Sequence, residues 1–327
     1  MPGILFQLLQ NPEPLVRYKA RLLLPASDQV YLPALSQARD EARKSPLVEK
    51  LLAERGADGC IPHNAYFKWS GPHWVLYTLA ELGFPPGDDS LQPLLQQDME
   101  WLLSDQRLGW VKKRTRLAGG SPPRACASME GATIFSMLKL GLVDERITAL
   151  VERLLEWQWP DGGWNCDANP AAGISSFHET LLPFRALNLY ARVSGDPRTA
   201  QAVGRAAEVF LRRRLFRRLS DDSVIDPSFT QLHFPRFWHY DLLGGLMALT
   251  EAGRIRDARC HDGLDWLESR RLPDGGFPAD VKFYHHNMQI SGGSLVDYGP
   301  LGKKRANPYV TLDALYVLNA AGRLSQW

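Results

Sequence analysis

The most informative part of the sequence is Gln158-Trp159-Pro160-Asp161-Gly162-Gly163-Trp164, because its pattern recurs along the chain. Residues 271–277 (RLPDGGF) repeat it, residues 106–110 (QRLGW) are a shortened copy, and residues 55–59 (RGADG) are a degenerate one. Trp110 and Trp164 are 54 residues apart, and the 113 residues from Trp164 to Phe277 make about two such periods. The skipped copy falls near residues 220–224 (SDDSV). A fixed period of this length indicates a repeat architecture.

Each repeat unit combines two kinds of helical pattern. Before the Gly-rich turn, apolar residues recur every three or four positions, which predicts half-exposed outer helices at 91–103, 147–157, 200–216 and 261–270. After the turn, segments that are apolar nearly all round predict buried inner helices at 15–24, 74–82, 127–140, 177–189, 242–249 and 310–318. Dividing the 327 residues by the period gives about six units, so we expect one domain over residues 1–327.

Six buried helices that alternate with six half-exposed ones predict an all-α fold, a closed (α/α)6 toroid with an inner and an outer ring. Residues 4–10 are expected to complete the outer ring. The alternative is an open α-solenoid. Closure is favoured because a solenoid needs polar terminal caps, whereas residues 4–6 (ILF) and 315–318 (LYVL) are apolar.

The pattern Gln158-x-x-x-Gly162-x-Trp164 resembles the QW motif of squalene–hopene and oxidosqualene cyclases, whose repeat class includes the toroidal subunit of protein prenyltransferases. The resemblance implies a central cavity for an isoprenoid. Triterpene cyclases have two barrels and an acidic DxDD motif, whereas this length fits one barrel and the comparable place reads WHYD, ending at Asp241. Residues 177–180 (FHET) resemble the zinc-binding His segment of the prenyltransferases, but their Asp-x-Cys motif does not recur.

Three carboxylates lie in the first turns of buried helices. Aligned on the apolar residues that follow, Glu130, Glu179 and Asp241 hold equivalent positions, so we expect them to meet at one mouth of the toroid. Clustered carboxylates can hold a proton near neutral pH, and Asp241 is the preferred catalytic acid. The neighbouring candidates are His178, His239 and Tyr240, and any divalent metal is expected to bind His178 with His239 or Asp241. The alternative role of these acids is helix capping.

Cations and aromatic rings are concentrated near the same helix starts. The candidate binding residues for a phosphate or carboxylate precede the third inner helix, in a segment expected to be a loop; they are Lys112, Lys113, Arg114, Arg116 and Arg124, with Lys303, Lys304 and Arg305 before the sixth. The family resemblance implies a diphosphate as the anion. The candidate cavity-lining rings are Trp74, Phe177, Trp238 and Tyr284. Residues 283–307 form a long loop, which is typical of a binding element. The basic residues of 212–218 suggest peripheral membrane contact as a weaker option.

Composition excludes several classes of protein. There are 38 Lys and Arg against 36 Asp and Glu, for a net charge of +2, which does not indicate nucleic-acid binding. The four cysteines lie far apart without a CxxC pair, which predicts reduced thiols and a cytoplasmic location. Three functions remain open: transformation or binding of an isoprenoid or other apolar ligand, a carbohydrate lyase or hydrolase that uses His239 and Tyr240, and a non-catalytic binding or partner subunit.

Overall fold

The computed structural model describes residues 3–24 and 31–324, except for the side chain of Tyr31. These residues contain α-helices and short 3-10 turns, with isolated bridges but no strand, so the predicted all-α class is confirmed. The helices are α1 Ile4–Leu9, α2 Pro14–Arg21, α3 Tyr31–Arg43, α4 Pro46–Leu51, α5 Pro72–Leu82, α6 Gln92–Leu103, α7 Asp105–Leu117, α8 Ala127–Leu140, α9 Ile147–Trp157, α10 Phe177–Ser194, α11 Pro197–Leu211, α12 Leu242–Glu251, α13 His261–Ser269 and α14 Pro308–Ala320.

The six helices that the sequence predicts to be buried are α2, α5, α8, α10, α12 and α14. They contact one another in chain order, and α14 contacts α2. Lys19 of α2 pairs with Asp313 of α14 at 2.7 Å across this junction. The last inner helix therefore packs against the first, as a toroid requires and an open solenoid does not.

Outer helices cover this inner layer. Helices α1, α3, α6, α9, α11 and α13 each contact a neighbouring inner helix, and α1 occupies the place predicted for residues 4–10. In α9, the residues that face inward recur at helical spacing: Ile147, Leu150, Val151, Leu154 and Trp157 are buried. No helix of the described part is long and apolar enough to cross a membrane.

Residues 106–110 do not form a repeat turn, contrary to the expectation from the sequence. They lie inside α7, which begins after Ser104, whose hydroxyl accepts a hydrogen bond from Arg107 N at 3.2 Å. This copy lacks the Asp-Gly pair that makes the turn, and Gly109 alone is tolerated within a helix. The basic segment that the sequence predicts to be a loop, with Lys112, Lys113, Arg114 and Arg116, is therefore mostly helix.

The other three copies share one backbone geometry. In each, the backbone N–H of the second residue of the copy donates to the carbonyl four positions on, and the N–H of a later glycine donates back to the carbonyl of that second residue. The pairs are Trp159 N to Gly163 O and Gly162 N to Trp159 O, Leu272 N to Gly276 O and Gly275 N to Leu272 O, and Gly56 N to Cys60 O and Gly59 N to Gly56 O. The returning glycines have φ of +106° (Gly162), +87° (Gly275) and +81° (Gly59), a conformation that side chains disfavour. In the unit that the sequence pattern skips, Asp222 has φ +63°.

Trp164 and Gln158 join three helices at the best-kept turn. Trp164 is 1% exposed, and its Nε1 donates to Leu154 O of α9 at 2.9 Å. Its backbone N donates to Thr180 Oγ1 of α10 at 3.2 Å. Gln158 Nε2 donates to Ala202 O of α11 at 2.9 Å, so the turn connects two outer helices through the inner helix between them.

We expect Trp164→Ala to lower the free energy of unfolding by about 3–5 kcal/mol, because it removes a fully buried aromatic ring and its hydrogen bond. The matched control is Trp110→Ala, since Trp110 is 38% exposed on α7 and should cost at most about 1 kcal/mol. Urea denaturation of both variants measures the difference. Equal losses would show that the turn is not packed as described.

Candidate functional site

Aromatic rings close the end of the ring at which the inner helices begin. Trp69 stacks on Phe237 with centroids 3.8 Å apart, and His239 stacks between Phe283 at 3.6 Å and Trp238 at 3.9 Å. We call these five residues the aromatic plug. The predicted lining residue Trp238 belongs to it. Trp74 lies fully buried against Trp69, at 4.8 Å between ring centroids, and is a core residue.

The long loop after α13 covers the plug. Trp69 Nε1 donates to Phe283 O at 2.6 Å, and Trp69 N donates to Gly293 O at 3.4 Å. Tyr284 packs edge-on against Tyr298, with ring centroids 5.2 Å apart, inside the loop itself. The loop is therefore hydrogen-bonded to the aromatic plug at this end of the ring.

Asp241 is the N-cap of α12 and is fully buried. Its Oδ1 accepts hydrogen bonds from Gly244 N at 2.6 Å and from Arg236 Nε at 3.2 Å. Its Oδ2 accepts from His233 N at 3.3 Å. Both oxygens thus accept hydrogen bonds, one of them from a cationic donor, as the carboxylate of a helix N-cap does.

Glu130 is also buried and also paired with arginine. Arg107 Nη2 of α7 contacts both carboxylate oxygens, at 3.0 and 3.1 Å, and Arg153 of α9 lies at 3.8 Å. These partners lie on α7 and α9, outside the inner ring. Glu130 therefore links α8 to the surrounding helices.

Glu179 has a different environment. Its Oε2 accepts from Ser128 N at the start of α8 at 3.0 Å, and its Oε1 accepts from the Cys166 thiol at 3.3 Å. Burial raises the pKa of Glu179 above its usual value. A hydrogen bond with Cys166 and burial raise the pKa of the Cys126 thiol. The sequence alone does not reveal Cys166 as a neighbour, because it lies in the irregular segment after the turn.

The three predicted carboxylates differ in their hydrogen-bond partners. Glu130 is bonded to Arg107, Glu179 accepts from Ser128 N, and Asp241 accepts from Arg236. Their positions also differ: Glu130 is the fourth residue of α8, Glu179 the third of α10, and Asp241 precedes α12. The expectation that the three side chains meet at one mouth assumes equivalent positions in the three helices. In the structure, their positions relative to the helix starts differ.

The predicted metal ligands, His178 with His239 or Asp241, belong to no group of three close ligand atoms among the described residues. Within residues 3–24 and 31–324, the one group of three whose ligand atoms lie close together is Cys126, Cys166 and Glu179. Burial lowers the pKa of His178 and lowers that of His239 to about 3, so both imidazoles are neutral at pH 7.

His178 and Tyr240 are structural in this arrangement. His178 Nδ1 accepts from Tyr240 N at 2.9 Å, and the buried Tyr240 hydroxyl donates to Leu215 O at 2.7 Å. Phe177, a predicted lining ring, packs against Tyr240 with centroids 4.9 Å apart. Phe177 and His178 also line a surface pocket of about 550 Å³, together with residues of the segment between α11 and α12.

The predicted anion-binding residues are scattered. Lys112 and Lys113 are exposed on α7, as are Lys303, Lys304 and Arg305 before α14. Arg114 donates to Cys166 O, and the buried Arg124 donates to Ala172 O at 2.9 Å. Arg124 also lies 4.4 Å from the Trp159 ring centroid. Arg114 and Arg124 therefore hold the segment after the repeat turn, whereas Lys112 lines a surface pocket beside Arg116 and Arg153.

The axis of the ring carries a buried ion-pair network that the sequence pattern does not reveal. Arg185 of α10 pairs with Glu81 of α5 at 2.5 Å and with Glu251 of α12 at 2.8 Å. Arg236 pairs with Asp313 of α14 at 2.8 Å, with Glu81 at 3.3 Å and with Asp241 at 3.2 Å. The available signal is the presence of isolated charges, such as Glu81 and Asp313, inside otherwise apolar helices.

Charge and burial oppose each other at Glu81. Burial alone would raise its pKa, but the charges of Arg185, Arg236 and Lys19 hold the pKa of Glu81 at about 2. Arg185 also lies 4.4 Å from the ring centroid of Phe135 on α8. Together with Lys19 of α2, the network therefore contacts all six inner helices.

A pocket of about 340 Å³ opens on the far side of this network, at the end where the inner helices finish. All six inner helices contribute to it. Its apolar lining comprises Tyr18, Leu22, Leu23, Ala80, Phe84, Phe135, Leu189, Met247, Leu312 and Tyr316. Lys139 and Arg192 lie at its rim and are exposed. We call this the axial pocket.

We expect Asp241→Asn to destabilise the protein by about 3 kcal/mol or more, because it leaves the buried Arg236 without one of its counter-charges. The matched control is Asp196→Asn at the N-cap of α11, where the carboxylate is less buried and asparagine caps equally well. Chemical denaturation separates the ion pair from the cap. If Asp241→Asn costs no more than Asp196→Asn, Asp241 is not held by charge as described.

The pH dependence of stability tests Glu81. Its pKa is about 2 in the folded chain against an ordinary value of 4.5, so its contribution is complete above pH 4.5 and is lost as the pH falls towards 2. We expect this group to supply about 3 kcal/mol of acid sensitivity. The free energy of unfolding, measured with urea between pH 7 and 2, should fall less with decreasing pH in Glu81→Gln than in the exposed control Glu49→Gln. An identical fall in the two variants would contradict the assignment.

No protein-family model and no curated protein matches the chain. Among solved structures, the chain is similar to a substituted variant of a type II terpene cyclase from Scytonema in complex with its substrate, geranylgeranyl dihydroxybenzoate. The match has 14% sequence identity and a TM-score of 0.25, and it covers 88% of this chain and 98% of the other. A superposition this loose carries no information about the site.

Proposed function

We propose that the chain binds a small apolar ligand of the isoprenoid class, carrying one anionic group, in the axial pocket. The observation that carries this proposal is the lining of the pocket. Apolar side chains come from all six inner helices, while the rim presents Lys139 and Arg192. A mostly apolar pocket with a few convergent polar groups is typical of small-molecule sites.

The charges of the pocket favour an anion at the rim. Its acids Glu81, Glu251 and Asp313 are already paired with Lys19, Arg185 and Arg236. Within the described residues, no ion pair joins Lys139 or Arg192 to a carboxylate; Arg192 instead donates to the carbonyl of Glu251. Two such cations suit a phosphate, diphosphate or carboxylate.

The shape of the pocket supports a ligand that enters from one side. The ion-pair network forms the floor, and the aromatic plug closes the opposite end of the ring. The volume of 340 Å³ lies at the low end of the range of about 300–1,000 Å³ for small-molecule pockets. The resemblance of residues 158–164 to the QW motif, together with the shared geometry of three turns, supports an isoprenoid as the apolar part.

The proposal is binding, and not acid-initiated cyclisation. Asp241 and Glu130 are buried and paired with Arg236 and Arg107, and neither lines the axial pocket. The carbohydrate alternative loses its acid and base, because the Tyr240 hydroxyl is buried on Leu215 O and His239 is stacked in the aromatic plug.

Isothermal titration calorimetry tests the proposal with three probes: farnesyl diphosphate, farnesol and inorganic diphosphate. We expect farnesyl diphosphate to bind most tightly, because it alone satisfies both the apolar walls and the rim. Lys139→Ala and Arg192→Ala should each weaken its binding by about tenfold or more and leave farnesol unchanged, since each removes a contact to the anionic group.

The matched control is Lys113→Ala, an exposed lysine on α7 outside the pocket lining, which should bind all three probes like the unchanged chain. The proposal fails if farnesyl diphosphate does not bind, or if inorganic diphosphate binds as tightly. It also fails if Lys113→Ala weakens binding as much as Lys139→Ala does.

A further inference from the structure

Two cysteines and a glutamate from three separate segments meet near the starts of α8 and α10. Cys126 directly precedes α8, Cys166 follows the repeat turn, and Glu179 lies in the first turn of α10. One ligand atom from each lies within 4.8 Å of the others, and all three residues are half-buried. The group lies at the end of the ring opposite the axial pocket.

The side chains of this group are turned towards one another. Cys126 occupies the N-cap position of α8 but makes no side-chain capping bond, and its sulfur lies within 4.8 Å of the Cys166 sulfur. The Cys166 thiol donates to Glu179 Oε1 at 3.3 Å. Tetrahedral zinc with sulfur and oxygen ligands holds its ligand atoms about 3.3–3.8 Å apart, so only small side-chain movements are needed.

Neighbouring groups hold each of the three residues in place. Arg107 Nη2 donates to Cys126 O at 3.3 Å, and Arg114 donates to Cys166 O. Ser128 N donates to the second oxygen of Glu179 at 3.0 Å, which leaves Oε1 directed at the thiols. Such outer contacts fix the orientation of metal ligands and strengthen binding.

We propose that Cys126, Cys166 and Glu179 form a binding site for a thiophilic divalent cation, with zinc as the preferred ion. Two thiolates select a soft or borderline metal over magnesium or calcium, and three protein ligands leave one coordination position open. The cation replaces the thiol protons that the group shares in its absence. The site is independent of the axial pocket and does not require the proposed ligand.

Metal analysis of the full chain, purified with reduced thiols and without chelator, tests the site first. We expect about one zinc per chain after reconstitution. Titration of the metal-free chain with Co²⁺ alone should produce a thiolate-to-cobalt charge-transfer band and the intense visible bands of a tetrahedral site. Cys126→Ser and Cys166→Ser should remove the charge-transfer band, and Glu179→Gln should weaken Co²⁺ binding by about tenfold or more.

The matched control is Cys60→Ser, which changes a half-buried cysteine outside the group and should leave Co²⁺ binding unchanged. Alkylation of the unchanged chain gives a second readout that needs no variant. Zinc should slow the modification of Cys126 and Cys166 and leave that of Cys60 unaffected. The site is refuted if reduced chain binds no stoichiometric zinc or cobalt, if zinc protects neither thiol, or if Cys126 and Cys166 are found joined as a disulfide.

Discussion

Four carboxylates surround Arg185 and Arg236 at the axis of the ring, and this pairing constrains how the inner helices pack around it. Taking charges out of water is costly, so a buried arginine is tolerated only when its counter-charges are fixed around it. Here those counter-charges come from α5, α12, α14 and the residue that caps α12. A shift of any of these helices would leave a buried charge without its partner. One arrangement of the inner helices is therefore favoured.

The glycine turns have a different role, which is to connect an outer helix to the inner helix that follows it. At Gly162 a side chain would come within 2.4 Å of Arg205 O, so the turn packs directly against the next outer helix. Gln158 then reaches Ala202 of the same helix. The turns set the spacing between units, and the ion pairs set the order of the inner helices around the axis.

Much of the fold was predictable from the sequence, because burial and helical period leave a direct pattern. The inner helices are apolar nearly all round, and their bounds differ from the expected ones by a few residues. Residues 106–110 were misread because a lone Gly-Trp pair resembles the end of the turn without containing the Asp-Gly pair that forms it. The degenerate copy at 55–59 kept the turn, since Gly59 provides the positive φ.

The candidate site was harder to predict, since it depends on the direction in which side chains point. Sequence spacing placed Glu130, Glu179 and Asp241 in helix starts, but a difference of a few residues in register gave each its own neighbours. Glu81 and Arg185 are 104 residues apart, and no periodicity links them. Cys166 shows the same limit, because it is brought to Cys126 by a segment without regular structure.

The ion-pair network at the base of the axial pocket determines from which side a small molecule can enter and leave. Because charged side chains cross the axis and the aromatic plug lies at the other end, the axial pocket has one opening and is not a channel through the ring. Under the proposed function, a ligand in the axial pocket would leave by the opening through which it entered before another could enter. Exchange of the proposed ligand would therefore be sequential, and slow release of one molecule would delay binding of the next.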